Sequence, residues 1–260
     1  MRCWWIVMLM IRCASAQHVY DVYSLSMASA DVCGASGSYL GRNPASIATQ
    51  QLNVIGFTQI LPFGIRSLSS NLFYASGKIK RQLYALDFAS QGIEGYREYL
   101  SALSAGMKLS ENFSLGVKVV CSTLDIRDAG LEFRYRLEIG MVENFGHKLS
   151  AGIHFKLRNT KTIEVFQNTV LSAGLRYYFD SKLPFHVSYE MSEIGPSYIR
   201  AALEYSIRHA LAVRMAWNNV DAGLSIGMAY KYRKTSIEMG SNYHNRLGLS
   251  YGVGLGYQWN

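Results

Sequence analysis

The chain has 260 residues, of which 49% are hydrophobic, 17% charged and 13% aromatic, with 23 Gly, 18 Tyr and 4 Pro; its mean hydropathy is +0.03. So low a charged fraction excludes a disordered or strongly solvated chain. The longest apolar run, Cys3 to Ile11, is nine residues, too short for a membrane-crossing helix. The net charge of +8 is spread along the chain and forms no basic patch, which argues against a nucleic-acid partner.

At the N-terminus, Arg2, the apolar block Cys3 to Ile11 and Ala14-Ser15-Ala16 have the order of a charged region, an apolar region and an A-x-A cleavage site. They predict a signal peptide over residues 1–16, cleaved after about Ala16, and hence an exported chain. Arg12 directly before Cys13 argues against a lipid-anchoring signal. Cleavage removes Arg2 and Arg12 and leaves 24 basic residues against 18 acidic ones, a net charge of +6. Cys33 and Cys121 then remain, 88 positions apart, without the clustered spacing of a disulfide framework or a metal site. They could pair in an oxidising periplasm; the expectation adopted is two free, buried thiols.

Residues 17–50 show no alternation and are rich in small side chains, as in Ser24-Leu25-Ser26-Met27-Ala28-Ser29-Ala30, Gly34-Ala35-Ser36-Gly37 and Asn43-Pro44-Ala45-Ser46. Such a segment suits close packing against strand interiors, and glycines near 223–227 and 248–256 leave room for it. We read residues 17–50 as a plug or periplasmic cap.

From about residue 52 onward the dominant signal has period two, which places successive side chains on opposite faces of a strand. Leu131, Phe133, Tyr135, Leu137, Ile139 and Met141 alternate with Glu132, Arg134, Arg136 and Glu138. Leu149, Ala151, Ile153, Phe155 and Leu157 alternate with Ser150, Gly152, His154, Lys156 and Arg158. The last run alternates Leu247 through Trp259 with Gly248, Ser250, Gly252, Gly254, Gly256 and Gln258. In a soluble sandwich the apolar face would be the core, but these runs are longer than globular strands and match what a tilted strand needs to cross a bilayer. Closed barrels satisfy their backbone groups in lipid. The expected fold is therefore all-β: a transmembrane antiparallel β-barrel of about 14 strands over residues 51–260, with apolar side chains outward and polar ones inward.

Turn residues divide the region into strands at about 52–61, 66–76, 78–90, 97–109, 112–126, 130–142, 146–158, 167–179, 183–191, 197–208, 210–217, 221–232, 235–242 and 246–259. An even number returns both ends to the periplasm. The longest connections, Ser90 to Tyr96, Asn159 to Phe166 and Ser192 to Pro196, then fall on one side. In the last strand Ser250, Gly252, Val253, Leu255, Tyr257 and Trp259 resemble the signal read by the barrel-assembly machinery, although Asn260 follows the aromatic residue.

Met27-Ala28-Ser29-Ala30-Asp31-Val32, Asn43-Pro44-Ala45 and the strand opening Asn112-Phe113-Ser114-Leu115-Gly116-Val117-Lys118 resemble the PorV/PorQ branch of FadL-like outer-membrane proteins. The resemblance implies a 14-stranded barrel. It also implies either an accessory role in a type IX-like secretion assembly, with secretion-complex proteins as partners, or uptake of small hydrophobic or polar solutes. The chain departs from the family in its short loops.

Chemistry-bearing motifs are few. Gly252-Val253-Gly254-Leu255-Gly256 lacks the strand, helix and acidic residue of a dinucleotide fingerprint and reads as barrel wall. His18, His147, His154, His186, His209 and His244 have no metal-ligand spacing, so no metal, cofactor or enzymatic activity is expected. His186, Ser188 and Glu190 share one face but stand about 6.6 Å apart per step, which favours polar packing over catalysis. The inward charges Glu132, Arg134, Arg136, Glu138, Lys156, Arg158, Arg176, Glu190, Arg200, Glu204 and Arg214 read either as a salt-bridged interior or as a polar pore with anion preference. Opposite charges across neighbouring strands favour the first. Lipopolysaccharide and outer-membrane lipid are the expected surroundings of the rims and outer face.

Overall fold

A computed structural model describes residues 21–34, 40, 42–50, 52–79, 82–128, 130–159, 168–193, 195–208, 210–220 and 223–259. The side chains of residues 158, 159 and 168 are outside that description, as are the expected signal peptide, His18, His209, the connection 160–167 and Asn260. The described chain opens with a short helix α1 (Val22–Ser26) and a 3-10 turn at Pro44–Thr49. Fourteen strands follow: β1 (Asn53–Leu61), β2 (Ser70–Ile79), β3 (Gln82–Ile93), β4 (Tyr96–Lys108), β5 (Phe113–Ile126), β6 (Gly130–Phe145), β7 (Leu149–Asn159), β8 (Asn168–Asp180), β9 (Leu183–Ser192), β10 (Tyr198–Arg208), β11 (Leu211–Asn218), β12 (Leu224–Tyr232), β13 (Thr235–His244) and β14 (Gly248–Trp259).

Every strand pairs antiparallel with its sequence neighbours, and β14 returns to β1 to close the barrel. The closing register runs from Asn53 opposite Trp259 to Leu61 opposite Tyr251. No edge strand is left with unpaired backbone groups. Among the described residues no helix is long and apolar enough to cross a membrane.

The two faces of the wall differ as the alternation requires. Outward side chains are large and apolar, and they are exposed to whatever surrounds the barrel: Phe133 is 67% exposed and Leu131 62%. Inward neighbours such as Glu138, His154, Ser188 and Arg200 are buried. A soluble protein inverts this arrangement; a closed barrel with an apolar exterior belongs in lipid. Tyr257 and Trp259 face outward near the end of β14 with stacked rings 6.1 Å apart, at the level where amphipathic aromatics mark an interface. Gly252 faces inward, where an added Cβ would lie 2.8 Å from the Gln59 carbonyl oxygen of β1.

Two sequence expectations are corrected. Ser90 to Tyr96 is no loop: β3 and β4 continue to Ile93 and from Tyr96, leaving only Glu94-Gly95 as the turn. Gly92 holds φ 123 within β3, and a Cβ there would meet the Tyr96 carbonyl oxygen at 2.2 Å, so the glycine serves a close strand contact. Cys121 is free but exposed on the outer face of β5, whereas Cys33 is free and buried. The alternation that turns Val120 inward turns Cys121 outward.

Strand length varies round the wall, from 16 residues in β6 to 8 in β11. Connections at the end where β1 begins are short, as at 181–182 and 233–234, and the longer ones at 62–69, 193–197 and 219–223 lie at the other end.

Candidate functional site

The site is the barrel interior, where the described N-terminal residues lie against the inner faces of the strands. Small residues on both sides permit the approach. A Cβ on Gly116 would lie 2.3 Å from the Pro44 carbonyl carbon, one on Gly140 1.7 Å from Asn43 Oδ1, one on Gly174 2.8 Å from Val32 Cβ, and one on Gly227 2.3 Å from Ser26 Cβ. The expected glycines on β12 and β14 are therefore joined by glycines on β5, β6 and β8.

Asn43, Pro44 and Ala45 form a wedge. The Asn43 side chain caps the 3-10 turn by accepting from the Ala45 backbone N–H at 3.0 Å, while its amide donates to the carbonyls of Met141 (3.1 Å) and Ile153 (3.2 Å). Pro44, with no N–H to satisfy, begins the turn. Upstream, Asp21 caps α1 through the Ser24 backbone N–H at 2.8 Å. Its Oδ1 also takes Arg42 Nη2 at 2.7 Å, and Asp31 Oδ2 lies 3.6 Å from Arg42 Nε.

The wall grips this segment in two different ways. The inner faces of β1 to β5 carry an apolar patch among buried polar groups such as Asp87 and Glu98: Val54, Leu72, Tyr74, Ala89, Leu100, Ala102 and Val120 enclose Leu40, and Leu83 and Ala85 pack on Ile47. The inner faces of β5 to β13 carry charge. Lys118 and Glu138, both fully buried and directly opposed across β5 and β6, pair at 2.6 Å. The same ammonium donates to the carbonyls of Arg42 at 2.7 Å and Leu40 at 3.2 Å. Glu138 also takes Arg136 and, at 2.8 Å, His154 Nε2.

The other expected charges fall as follows. Glu190 accepts from Arg200 at 3.0 Å and from the Ser172 hydroxyl at 3.0 Å, with Lys156 at 3.6 Å. Arg214 pairs with Glu204 at 2.6 Å and Glu238 at 3.5 Å, and the Tyr23 ring of α1 is sandwiched between the guanidiniums of Arg42 and Arg214, each 4.2 Å from its centroid. Arg134 and Glu132 form a bidentate pair along one strand at 2.8 Å, the long side chains bridging a two-residue step that short ones cannot. Arg176 donates to the Ser150 hydroxyl at 3.2 Å. Arg158 has its backbone on β7, and its side chain lies outside the described residues. His186 and Ser188 are buried on the same inner face as Glu190, and among the described residues no cluster could hold a metal.

Sequence reasoning passed over Lys118, Glu238, Asp21, Tyr23, Asp31 and Arg42. Lys118 and Glu238 obey the same period-two signal as the other inward charges, between Val117 and Val119 and between Ile237 and Met239. The other four lie in the stretch without a period.

Burial of Asp31 raises its carboxyl from an ordinary 3.8 to about 6, against the lowering pull of Arg42 and with a smaller push from Asp21. Arg214 and Tyr23 also face it, as do the wall groups His154, Lys156, Glu190 and Arg200. The buried segment thus holds the Asp31 proton more tightly than a released one. Docking is strongest below pH 4, weakens as pH rises toward 6 and is constant above, by about a hundredfold in equilibrium for this group alone. Asp31→Asn should abolish that slope, read as the pH dependence of protease access to residues 21–50; an unchanged slope would count against it.

No family model matches the sequence, and no curated protein matches it. Solved structures do match. A TodX monoaromatic hydrocarbon channel mutant lacking S2 and S3 aligns at TM-score 0.65 and 9% identity over 93% of this chain and 99% of that one. The TodX deltaS2 mutant aligns at 0.60 and 8% over 84% and 93%. The KdgM porin aligns at 0.50 and 11% over 80% and 99%. At these identities the likeness is one of fold. The class defined is the closed antiparallel barrel of outer-membrane channels and porins.

Proposed function

We propose that this chain is a non-catalytic outer-membrane channel for small hydrophobic or polar solutes, whose lumen is plugged by residues 17–50. Export by cleavage after about Ala16 and insertion by barrel-assembly machinery reading Gly252, Tyr257 and Trp259 complete the reading. The observation that carries it is the placement of the described residues 21–34, 40 and 42–50. The strands close without them, yet they occupy the interior through contacts that can be made and broken: one aromatic sandwich, a capped turn and a few charge-assisted bonds. Passage requires that this segment shift. The apolar patch on β1 to β5 and the charged wall of β5 to β13 would then offer a solute two kinds of surface, and the excess of arginine inside favours anionic ones.

The resemblance to the PorV/PorQ branch supports a second reading, an accessory of a type IX-like secretion assembly. It rests on Asn43-Pro44-Ala45, which is seated on strand glycines that leave it no slack.

A covalent tether tests the gate. A Cβ at position 152 would lie 3.0 Å from Cys33 Sγ, so Gly152→Cys in a Cys121→Ser background should form a disulfide between the segment and β7 under oxidising conditions. The expected result is a protein silent in planar bilayers when oxidised and conducting after reduction. Equal conductance in both states would overturn the gate, and silence in both, with recovery of a defined membrane complex, would favour the accessory reading.

A further inference from the structure

Between the N-terminal segment and the wall formed by β7 to β10 lies a polar cavity of about 30 Å³. Three cations line it, Arg42 from the segment and Lys156 and Arg200 from the wall, with two carboxylates, Asp31 and Glu190. Their bonding is incomplete: Asp31 Oδ2 is buried without a hydrogen-bond partner, 3.6 Å from Arg42 Nε, and two of the cations keep donors that it does not reach. Arg42 Nη1 and Arg200 Nε are buried with no hydrogen-bond acceptor in reach among the described residues, although both side chains are almost wholly buried. Arg42 spends Nη2 on Asp21, and Arg200 spends Nη2 on Glu190. The Lys156 ammonium stands 3.6 Å from Glu190, outside hydrogen-bond range. Glu190 has both oxygens engaged, by Arg200 and Ser172, so it cannot turn to serve these donors.

Buried guanidinium N–H groups without an acceptor bear the full cost of desolvation, and structures retain them where an ion or water answers them. Here the donors come from cations on both sides of one cavity. A single anion between them makes charge-assisted bonds to each. Room for one water-sized particle needs roughly 10 to 15 Å³, so the cavity takes about two, enough for a halide with a water.

We propose that this cavity binds a small monovalent anion of halide size through Arg42 Nη1, Arg200 Nε and Lys156 Nζ, and that the anion ties the N-terminal segment to the wall. The binding site stands on these donors alone; its locking role rests on the reading of the segment as a gate.

Bromide is the probe. Full-length protein crystallised from sodium bromide should show an anomalous peak between Arg42 and Arg200, and replacing gluconate with bromide at constant ionic strength should raise the melting temperature by several degrees. Lys156→Met, at a partly exposed position where folding is not at risk, should remove that rise. A cavity holding only water at saturating bromide would overturn the site. Bromide in the cavity of a protein that conducts equally with and without it would overturn the locking role while leaving the site.

Discussion

Replacing Lys118 with methionine is expected to free the N-terminal segment and raise conductance without opening the barrel. Methionine keeps the length of the stem and removes the ammonium, which is the point where wall and segment are joined. Glu138 loses its directly opposed partner, and the carbonyls of Leu40 and Arg42 lose their donor. Breaking a buried pair by removing one partner costs about 3–5 kcal/mol. The fourteen strand ladders do not depend on this contact, so the cost falls on docking. Unboiled protein should still run as a compact band on gels, while single-channel recordings show longer open time than those of the unmodified chain. Glu138 keeps Arg136 and His154 as partners, so the loss falls mainly on the carbonyls of Leu40 and Arg42, and the double variant with Glu138→Gln should dock no better. A Lys118→Met protein that conducts and melts like the unmodified one would refute the role given to this pair.

Gly116→Ala should have a comparable effect by a steric route. The added methyl meets the Pro44 carbonyl carbon at 2.3 Å and the Ala45 nitrogen at 2.4 Å, and neither is the end of a side chain that could swing aside. Overpacking of this kind costs about 1–3 kcal/mol, and lifting Pro44 away also withdraws Asn43 from the carbonyls of Met141 and Ile153. Gly140→Ala strikes Asn43 itself. Because both substitutions release one element, the double variant should cost less than the two single effects added together. Ala105→Val on the outer face of β4 is the matched control and should leave conductance unchanged. If Gly116→Ala conducts no more than Ala105→Val, the wedge is not what holds the segment in place.

The barrel was legible from Phe113 onward because its two faces differ there: Leu131 to Met141 look out while Glu132 to Glu138 look in, and the contrast repeats through Trp259. On the early strands that contrast fades. Val54, Ile60, Leu72, Leu83, Ala85 and Leu100 point inward while Phe57, Phe73, Leu86 and Leu103 point outward, so both faces carry large apolar side chains. The expected starts of β2 and β3 at 66 and 78 accordingly fall four residues ahead of Ser70 and Gln82. The interior was less legible still. Inward charges could be listed from alternation, but the choice of partner depends on reach: Glu132 with Arg134 along a strand, Lys118 with Glu138 across one, Lys156 with Glu190 two strands away. Asp21, Tyr23 and Arg42 carry no local mark because their surroundings come from strands up to two hundred residues distant.

The uneven height of the wall has a consequence for the lipid. At roughly 3.3 Å per residue and a tilt near 40°, the 8 residues of β11 rise about 20 Å along the barrel axis, and the 16 of β6 about 40 Å. The apolar band of an outer-membrane barrel is about 25 Å tall. One flank therefore stands clear of the bilayer and the opposite flank falls short of it. Lipid beside β11 and β12 must thin, or the barrel must lean toward that side, and either response marks one sector of the annulus as the place where the membrane is most easily deformed.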